Sequence, residues 1–532
     1  MLLTIQQIIL TNESIRFIIE STKAGFKVIE NTRTQYKEKS MLDHLFSPYT
    51  IRGVEFKNRI AVPAMVTDYC NLDGTATERY IAYHEEKAKG GFGLIITEDY
   101  AVDPLGRGFK NVAGLWEDSQ IESHSELPKR VHKYGAKIFA QIYHCGRQTN
   151  RGAIGTEPEA PTAIPCPFGT DMPKELTTER VKHIIEEFGD TALRCKKCGF
   201  DGVEIHGGHG YLIAEFMSHY SNKRVDEYGG SFINRMRLPI EIIKNIREKC
   251  GEDFIIDMRI SADEGSSAGK VAGARTIEDT LAMVPYFEEA GLDMIHVSAG
   301  TYMACDGIVP SSYTQHAWGQ DWAEAVRKVV NIPVISVGRY NDPILANSAI
   351  KLGKADFIAM GRASLVDPHM PNKAKAGCYE DIRYCIGCNH GCLGILFTDN
   401  PIRCVLNPTL GREYEGEIKE AEVKKNVAVI GAGPGGLQAA LTAKKAGHTV
   451  TVYEKDSHAG GQFYMASIPP AKGEISAFIR WQTVQCEKNG IEIKYNTEVT
   501  TELMKEEKPD VIIAATGANP VVPPIPGNDQ SI

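Results

Sequence analysis

The chain has 532 residues, of which 42% are hydrophobic and 24% are charged, and its formal net charge is −9. This length allows more than one buried core, and the negative charge disfavours a nucleic-acid partner, whose phosphate backbone is also negative. No apolar run approaches the length of a membrane span, so we expect no membrane partner.

The first 40 residues differ from the rest of the chain. They carry short apolar patches at 8–10 and 17–19 without the flanks of a secretion signal. Met41 then opens a stretch that reads as a natural domain start. We expect that residues 1–40 arise from an upstream start that was included when the chain was defined. The alternative is a genuine extension that packs as a helix.

From residue 60 to residue 362, a short β-rich apolar run recurs eight times, with mostly helical intervals between the runs. The runs cover 60–65, 93–98, 137–144, 202–206, 254–261, 294–299, 333–339 and 357–362. Parallel strands buried on both faces have this composition, so the pattern predicts an α/β fold with a closed (β/α)8 TIM barrel over 41–375. An open doubly wound sheet is the alternative, which the lack of a glycine fingerprint after the first strand disfavours.

Polar residues at the strand ends are the candidate site, because a TIM barrel collects its chemistry at that face. Strands seven and eight end in Gly338-Arg339 and Gly361-Arg362. Glycine lets backbone N–H groups approach a phosphate and arginine pairs with it, which predicts a phosphate site at these turns. Three other strand-end side chains could contact the ring of the same ligand or simply satisfy backbone groups: Thr67, Gln141 and Arg259.

Four cysteines follow the barrel with the spacing C-x2-C-x3-C-x11-C: Cys385, Cys388, Cys392 and Cys404. Three closely spaced thiolates with a fourth from a later turn are typical of iron–sulfur ligation. A structural zinc knot is the alternative, but zinc ribbons pair two C-x-x-C hooks and the second is missing here. We predict an iron–sulfur segment at 376–412. Another C-x-x-C pair, Cys195 and Cys198, lies in an amphipathic helical stretch with no second pair and is interpreted as ordinary thiols. The remaining cysteines are scattered, which favours a reducing, cytoplasmic compartment over a disulfide framework.

A charged linker at 413–425 precedes a second domain at 426–532. There a short apolar strand is followed by Gly-Ala-Gly-Pro-Gly-Gly and an alanine-rich helix. Gly431 makes the turn, Gly433 admits a pyrophosphate and Gly436 allows close helix packing, while Glu454 ends the next strand where it can accept from a ribose hydroxyl. The order of these features predicts a Rossmann-like dinucleotide-binding domain.

Several motifs resemble the old yellow enzyme family of FMN-dependent NADH:flavin oxidoreductases. They include Pro-Ala-Met-Val-Thr at 63–67, Gln-Ile-Tyr-His-Cys-Gly-Arg at 141–147 and His-Gly-Gly-His-Gly-Tyr-Leu at 206–212. The cysteine spacing before a dinucleotide fingerprint resembles the large iron–sulfur branch of that family, in which the cluster is [4Fe-4S]. The resemblance implies that FMN is held by Pro63, Thr67, Gln141, Arg259, Gly338, Arg339, Gly361 and Arg362.

The same resemblance places a catalytic proton donor at Tyr211. Hydride from reduced flavin adds to the β-carbon of an activated alkene, and an acid must then protonate the α-carbon. His206 and His209, at the end of strand four, could polarise the activating carbonyl or contact the flavin, and a structural role for both is the alternative.

The chain also departs from the family pattern at two positions. The dienoyl-CoA reductase branch has a catalytic histidine after strand six, whereas 299–306 contains none, which puts a fatty dienoyl-CoA substrate in doubt. Tyr302 or Cys305 could occupy that neighbourhood. The amine-dehydrogenase branch ties its flavin to a cysteine where this chain has Met65, so covalent attachment by that route is excluded.

The second domain resembles the FAD half of two-dinucleotide reductases at 458–462 and 515–517, so FAD is expected with Gln462 among its contacts. Family members continue with an inserted NAD(P)H domain and a final FAD-contacting strand, and this chain shows neither. We therefore expect either a truncated domain or a separate electron-carrier protein as the donor.

These features predict an oxidoreductase that passes electrons from NAD(P)H through FAD and a [4Fe-4S] cluster to FMN, and then to an activated C=C bond of an enoate, enone or enoyl-CoA. The alternatives are a dehydrogenase of the same family working in the oxidative direction with an external carrier, and a non-catalytic redox flavoprotein. The expected partners are a small unsaturated carbonyl compound and NAD(P)H or a carrier protein, and a homo-oligomer is left open.

Overall fold

The computed structural model describes residues 41–265, 272–518 and 525–526, together with the backbone of two strands, Phe17–Thr22 and Gly25–Glu30. These two strands pair antiparallel, so this part of the N-terminal segment is a β-hairpin and not the expected helix. The other residues of 1–40 lie outside the described part of the chain.

Eight parallel strands close into a barrel in the order in which they occur along the chain. Strands β1 to β8 are Ile60–Val62, Leu94–Ala101, Lys137–Tyr143, Gly202–Gly207, Ile255–Ser261, Met294–Ser298, Val334–Val337 and Phe357–Ala359. Pairing of Ile358 in β8 with Ile60 in β1 closes the cylinder. The TIM-barrel prediction is confirmed, and each predicted apolar run overlaps one strand.

Several predicted strand ends differ from the structure: β1 stops at Val62 and β7 at Val337, before the predicted ends at 65 and 339. β8 stops at Ala359, and Gly361 begins the next helix instead of ending the strand. β2 continues beyond residue 98 to Ala101, and an irregularity between Ile96 and Asp99 shifts its register against β3. Such a shift re-aims the side chains that follow it.

A helix follows each barrel strand. The principal helices α1 to α8 are Glu78–Lys89, Glu126–His132, Thr178–Cys198, Phe232–Cys250, Ile277–Glu289, Gln320–Arg327, Pro343–Lys351 and Gly361–Val366. In α3 the Thr177 side chain accepts from the Arg180 N–H at the first turn, Gly199 ends the helix at φ 99°, and residues such as Ile184 and Phe188 bury one face. Shorter helices are Ile121–His124, Arg151–Ile154, Leu212–Met217, Cys305–Ile308 and Met370–Lys375.

A short antiparallel hairpin, Tyr49–Ile51 with Val54–Phe56, packs against the N-terminal end of the barrel. The Phe56 ring meets Phe139 and Phe357 edge-on, with ring centroids 6.1 and 5.5 Å apart. Aromatic contacts of this kind add to the free energy gained by burying the rings. The hairpin therefore supplies part of the apolar floor of the barrel.

The inward-facing residues change from apolar to polar along the barrel axis. Phe139, Ile255 and Met294 belong to the apolar floor. Because side chains alternate between the two faces of a strand, residues two positions further on point the same way. Those residues are polar and buried: Gln141, Asp257 and His296. The upper half of the barrel interior therefore carries the polar groups.

The C-terminal domain is a four-stranded parallel sheet of β9 (Asn426–Ile430), β10 (Thr449–Tyr453), β11 (Glu492–Lys494) and β12 (Val511–Ala514), in the order β11-β10-β9-β12. Its helices are α9 (Pro434–Lys445), α10 (Gln462–Ala466), α11 (Gly473–Lys488) and α12 (Thr501–Glu507). The predicted Rossmann-like domain is confirmed. No helix among the described residues is long and apolar enough to span a membrane.

Replacing Phe56 by Ala should lower the free energy of unfolding by about 3–5 kcal/mol, because the ring is fully buried and leaves a cavity in the barrel floor. Urea denaturation followed by circular dichroism measures the change. Val225→Ala is the control, since Val225 is fully exposed, and it should stay within about 0.5 kcal/mol of the wild type. Equal stability of the two variants would contradict the role assigned to the hairpin.

Candidate active site

A cavity with an empty volume of about 1430 Å³, open mouth included, lies at the C-terminal ends of the barrel strands. The predicted site residues that line it are Pro63, Gln141, His206, His209, Tyr211, Arg259, Gly338, Arg339, Gly361, Arg362, Cys385 and Cys392. Thr67 lies behind the wall, fully buried, with its backbone N–H donated to the Glu98 carboxylate. Residues from distant parts of the sequence are thus brought to one cavity.

The floor of the cavity rests on a buried carboxylate, Glu204. Its two oxygens accept from the Gln141 amide at 2.5 Å and from the His296 imidazole at 2.6 Å. Burial opposes ionisation, but the His296 imidazole and the Arg259 guanidinium outweigh it and hold the pKa of Glu204 below its usual value. Glu204 was missed from the sequence. The sequence feature that could have identified Glu204 is its position two residues before His206, on the same face of β4.

Arg259 is buried in the cavity wall and is only partly satisfied. Its guanidinium donates to the Ala64 carbonyl at 3.1 Å and to Ser298 Oγ at 3.4 Å, while Nε has no hydrogen-bond partner among the described residues. A buried donor of this kind calls for an acceptor supplied by a ligand. A flavin ring, with its carbonyl oxygens and ring nitrogens, would supply one.

Both candidate histidines are neutral. Burial and the nearby Arg259 charge lower the pKa of His206 to about 3, and the same effects lower the pKa of His209. His206 Nδ1 accepts from the Gly208 N–H at 3.3 Å, so its Nε2 carries the hydrogen. His209 Nε2 lies 2.8 Å from Ser298 Oγ. These rings are therefore suited to hydrogen bonding and not to acid catalysis.

Tyr211 precedes the helix Leu212–Met217 and packs edge-on against His206, with ring centroids 4.8 Å apart. Its hydroxyl lies 2.9 Å from the hydroxyl of Tyr302. Burial raises the pKa of Tyr211 well above its usual value. Of the two residues expected near the missing histidine, Tyr302 contacts Tyr211, while Cys305 lines the same cavity.

Asp99 also lines the cavity, and sequence reasoning missed it because the predicted run ended one residue earlier. It lies just after the register shift in β2, which no sequence pattern marks. Burial raises the pKa of Asp99 to about 7. Asp99 therefore places a carboxyl group in the same cavity wall as Gln141 and Arg259.

The two arginines predicted for phosphate binding contact other groups. Arg339 donates to both oxygens of Glu474, at 2.5 and 2.6 Å, and Glu474 lies on α11 of the C-terminal domain. Arg362 donates to Asn389 Oδ1 at 2.6 Å in the cysteine segment. The turn after β7 keeps the geometry expected of glycine, since Gly338 has a φ of 143°. The glycine turn after β7 is thus present, while the two guanidinium groups contact α11 and the cysteine segment.

The four predicted ligand cysteines line one small pocket of about 350 Å³, together with Arg362. Backbone N–H groups of Gly387 and Leu406 approach the sulfurs of Cys385 and Cys404 at 3.4 Å. Burial raises the pKa of Cys385, and the charge of Arg362 counteracts part of that rise. This donor set fits a metal group that takes thiolates.

The spacing of the thiols bears on which metal group they could hold. Among the described residues, the group whose three ligand atoms lie within 4.8 Å of one another is Glu204, Asp257 and His296, and not the cysteines. A tetrahedral zinc ion with Zn–S bonds of about 2.3 Å brings its sulfurs to about 3.8 Å from one another. The cysteines are therefore arranged more widely than one zinc ion requires.

The glycines of the dinucleotide fingerprint occupy three different environments. Gly431 has a φ of 103°, and a Cβ there would lie 2.4 Å from the Ala515 carbonyl oxygen. A Cβ on Gly436 would lie 2.0 Å from the Gly431 oxygen, whereas one on Gly433 would meet nothing within 4 Å. The open space is in front of Gly433, at the start of α9, where a pyrophosphate is expected.

Two other predicted residues of this domain differ in burial. Glu454 is buried and accepts from the backbone N–H groups of Ala432, at 2.7 Å, and Asp456, at 3.0 Å. It therefore fixes the fingerprint loop itself. Gln462 is exposed at the start of α10 and donates to the Ala518 carbonyl.

The barrel, its polar cavity and the attached dinucleotide domain define a flavin-type oxidoreductase. The chain belongs to the NADH:flavin oxidoreductase / NADH oxidase family, whose model matches residues 44–381, and residues 425–532 match the pyridine nucleotide-disulphide oxidoreductase model. The two descriptions imply FMN in the barrel and FAD or NAD(P)H in the second domain.

Similar proteins include the NADH oxidase of Thermoanaerobacter brockii, 45% identical over 491 residues, which cover 92% of this chain and 75% of that protein. The cinnamate reductase of Clostridium sporogenes is 35% identical over 508 residues, covering 91% of this chain and 76% of the relative. A solved 2-naphthoyl-CoA reductase in complex with 2-naphthoyl-CoA superposes with a TM-score of 0.87 at 33% identity, covering 92% of this chain and 76% of that chain.

Substitutions at two fingerprint glycines should separate binding from folding. Gly433→Val should remove bound dinucleotide and leave the melting temperature of the dinucleotide-free protein unchanged, because the side chain enters open space. Gly436→Ala should lower the melting temperature, because its methyl group would collide with the Gly431 carbonyl oxygen. Thermal unfolding and the FAD released on denaturation measure the two effects. Full FAD content in Gly433→Val would contradict the assignment.

Proposed function

We propose that this protein reduces an activated C=C bond of an enoate, enone or enoyl-CoA, with NAD(P)H as the electron source and FAD, a [4Fe-4S] cluster and FMN as its redox groups. The observation that carries the proposal is a single cavity lined by a tyrosine hydroxyl, two neutral histidines, a buried arginine and two of the four cysteines. Bound FMN would supply hydride transfer, and the cluster single-electron transfer.

The residues of the chain supply binding, orientation and a proton. FMN would be held by the barrel residues predicted above, with Arg259 and Gln141 addressing its ring. His206 Nε2–H would hydrogen-bond to the substrate carbonyl and draw charge towards oxygen, which makes the β-carbon electron-poor. Tyr211 would give its hydroxyl proton to the α-carbon.

The position of the cysteines supports an electron path between the two flavin sites. Cys385 and Cys392 line the barrel cavity. On the other side, Cys385 and Cys404 pack in an apolar cluster with Phe463 and Phe478 of the C-terminal domain. A cluster held here would lie between FMN and the dinucleotide, which is where a one-electron relay is needed.

An aromatic cluster that reaches the cavity through Tyr302 and Phe397 supports a substrate with a flat apolar group. The Tyr302 ring lies between Phe168 and Phe397, with centroid distances of 6.2 and 5.9 Å. Phe168 and Phe397 are 68% and 48% exposed, which is unusual for side chains of this size. Aryl-substituted acids or thioesters would pack against the exposed faces of these rings, and the names of the cinnamate and naphthoyl-CoA reductases agree with that class.

Replacing Tyr211 by Phe should leave FMN content unchanged and slow oxidation of the reduced enzyme by cinnamate at least about 100-fold, because the proton donor is lost. Stopped-flow absorbance of the flavin under anaerobic conditions measures this half-reaction. Tyr286→Phe, on the outer face of α5, is the matched control. Failure of the wild type to react with any member of a panel of enoates, enones and enoyl-CoAs would contradict the proposed function. Reaction with oxygen alone would favour an oxidase.

Cys404→Ala should abolish the iron content of anaerobically purified protein, which we expect to be roughly four iron and four sulfide per chain in the wild type. Cys378→Ser is the matched control, because Cys378 is exposed and outside the quartet, and it should keep its iron. Inductively coupled plasma mass spectrometry and sulfide assay give both values. Zinc at one ion per chain in the wild type would refute the cluster.

A further inference from the structure

The turn after β6 carries a tyrosine in direct contact with the candidate proton donor. Tyr302 begins a short 3-10 turn, Tyr302–Ala304, and its hydroxyl lies 2.9 Å from that of Tyr211. The two rings meet edge-on with centroids 5.8 Å apart. The sequence has no histidine in this turn, so the hydroxyl of Tyr302 is the polar group presented to Tyr211.

The contact between the two tyrosines is fixed by the backbone. His209 and Thr301 form an isolated parallel β-bridge between the segments that follow β4 and β6. Ser261 Oγ accepts from the His209 N–H at 2.9 Å and donates to the Gly300 carbonyl at 2.8 Å, so it ties the same two segments together. Each tyrosine lies within two residues of the bridge. The hydroxyl pair is therefore a preorganised arrangement and not a chance approach of two mobile side chains.

We propose that Tyr302 is a positioning and proton-relay residue that acts through Tyr211 in the proposed alkene reduction. In the protonation step, the Tyr211 O–H bond breaks as a C–H bond forms at the substrate α-carbon, and the negative charge passes from the enolate to the Tyr211 oxygen. The Tyr302 proton then moves along the hydrogen bond to that oxygen. Tyr302 regains a proton from water, so the alkene gains one hydride from the reduced flavin and one proton from solvent.

The environment of the pair explains why Tyr211 needs this partner. Tyr211 is only 5% exposed, so a phenolate left on it has no water to stabilise it. A hydrogen bond donated to a buried anion stabilises it more than a hydrogen bond between two neutral groups would. Tyr302 is less buried and packs beside the solvent-exposed ring of Phe168. It therefore stands between the buried donor and solvent, as a relay must.

The test rests on the proposed function and uses the anaerobic half-reaction of the holoenzyme with cinnamate. Tyr302→Phe should slow oxidation of the reduced enzyme about 10- to 100-fold, with the cinnamate concentration for half-maximal rate changed less than twofold, because binding is retained while proton supply fails. Reduction by NADH should be unchanged. Tyr302→His should recover at least a third of the wild-type rate, because an imidazole can also donate and relay a proton. Tyr313→Phe, an exposed tyrosine in the same β6–α6 segment, is the matched control.

A solvent deuterium isotope effect separates a relay from a packing role. We expect it to rise in Tyr302→Phe, because proton transfer becomes rate-limiting, and to return towards the wild-type value in Tyr302→His. A wild-type rate in Tyr302→Phe, or no recovery in Tyr302→His, would overturn the relay and leave the proposed function standing. An inactive wild-type enzyme would overturn both.

Discussion

The barrel interior holds charged groups that are shielded from water. The arrangement of the site depends on how other side chains compensate these charges. Glu204 is the centre of this arrangement, because it accepts from Gln141 and His296 and lies near Arg259. Removing one member of such a network leaves the others buried and uncompensated, at a cost of several kcal/mol. Gln141 and His296 are therefore held in place by Glu204 beneath the cavity.

The buried residues beneath the cavity also influence the pKa values of the side chains that line it. Burial and the positive charge of Arg259 lower the pKa of both His206 and His209, so neither histidine competes with Tyr211 as an acid. The apolar floor formed by Phe56 and its neighbours keeps water out of the lower barrel. A polar layer above an apolar one concentrates hydrogen-bond donors at the face where the strands end, which is where a barrel builds its sites.

Much of the fold could be predicted because its signals are local. Each barrel strand is buried on both faces and reads as an apolar run, and the fingerprint at Gly431 lies between a strand and a helix. Glu204 was not predicted because it lies inside a strand, where a polar residue has no distinct pattern. The partner of Arg339 could not be predicted either, since Glu474 lies 135 residues away and belongs to another domain. Contacts of that range depend on domain packing, which sequence spacing does not encode.

The pairing of Arg339 with Glu474 has a consequence for how such a chain can change over evolutionary time. A barrel that lost its C-terminal extension by deletion would expose a half-buried cation with no counter-ion, next to the turn that follows β7. Water would solvate that guanidinium, and its contacts to the Ser312 and Thr314 carbonyls would remain, so shortening the gene would leave no unpaired charge buried at this arginine. A foreign module fused to the barrel would gain a specific contact there only if its incoming helix offered a carboxylate at the same place.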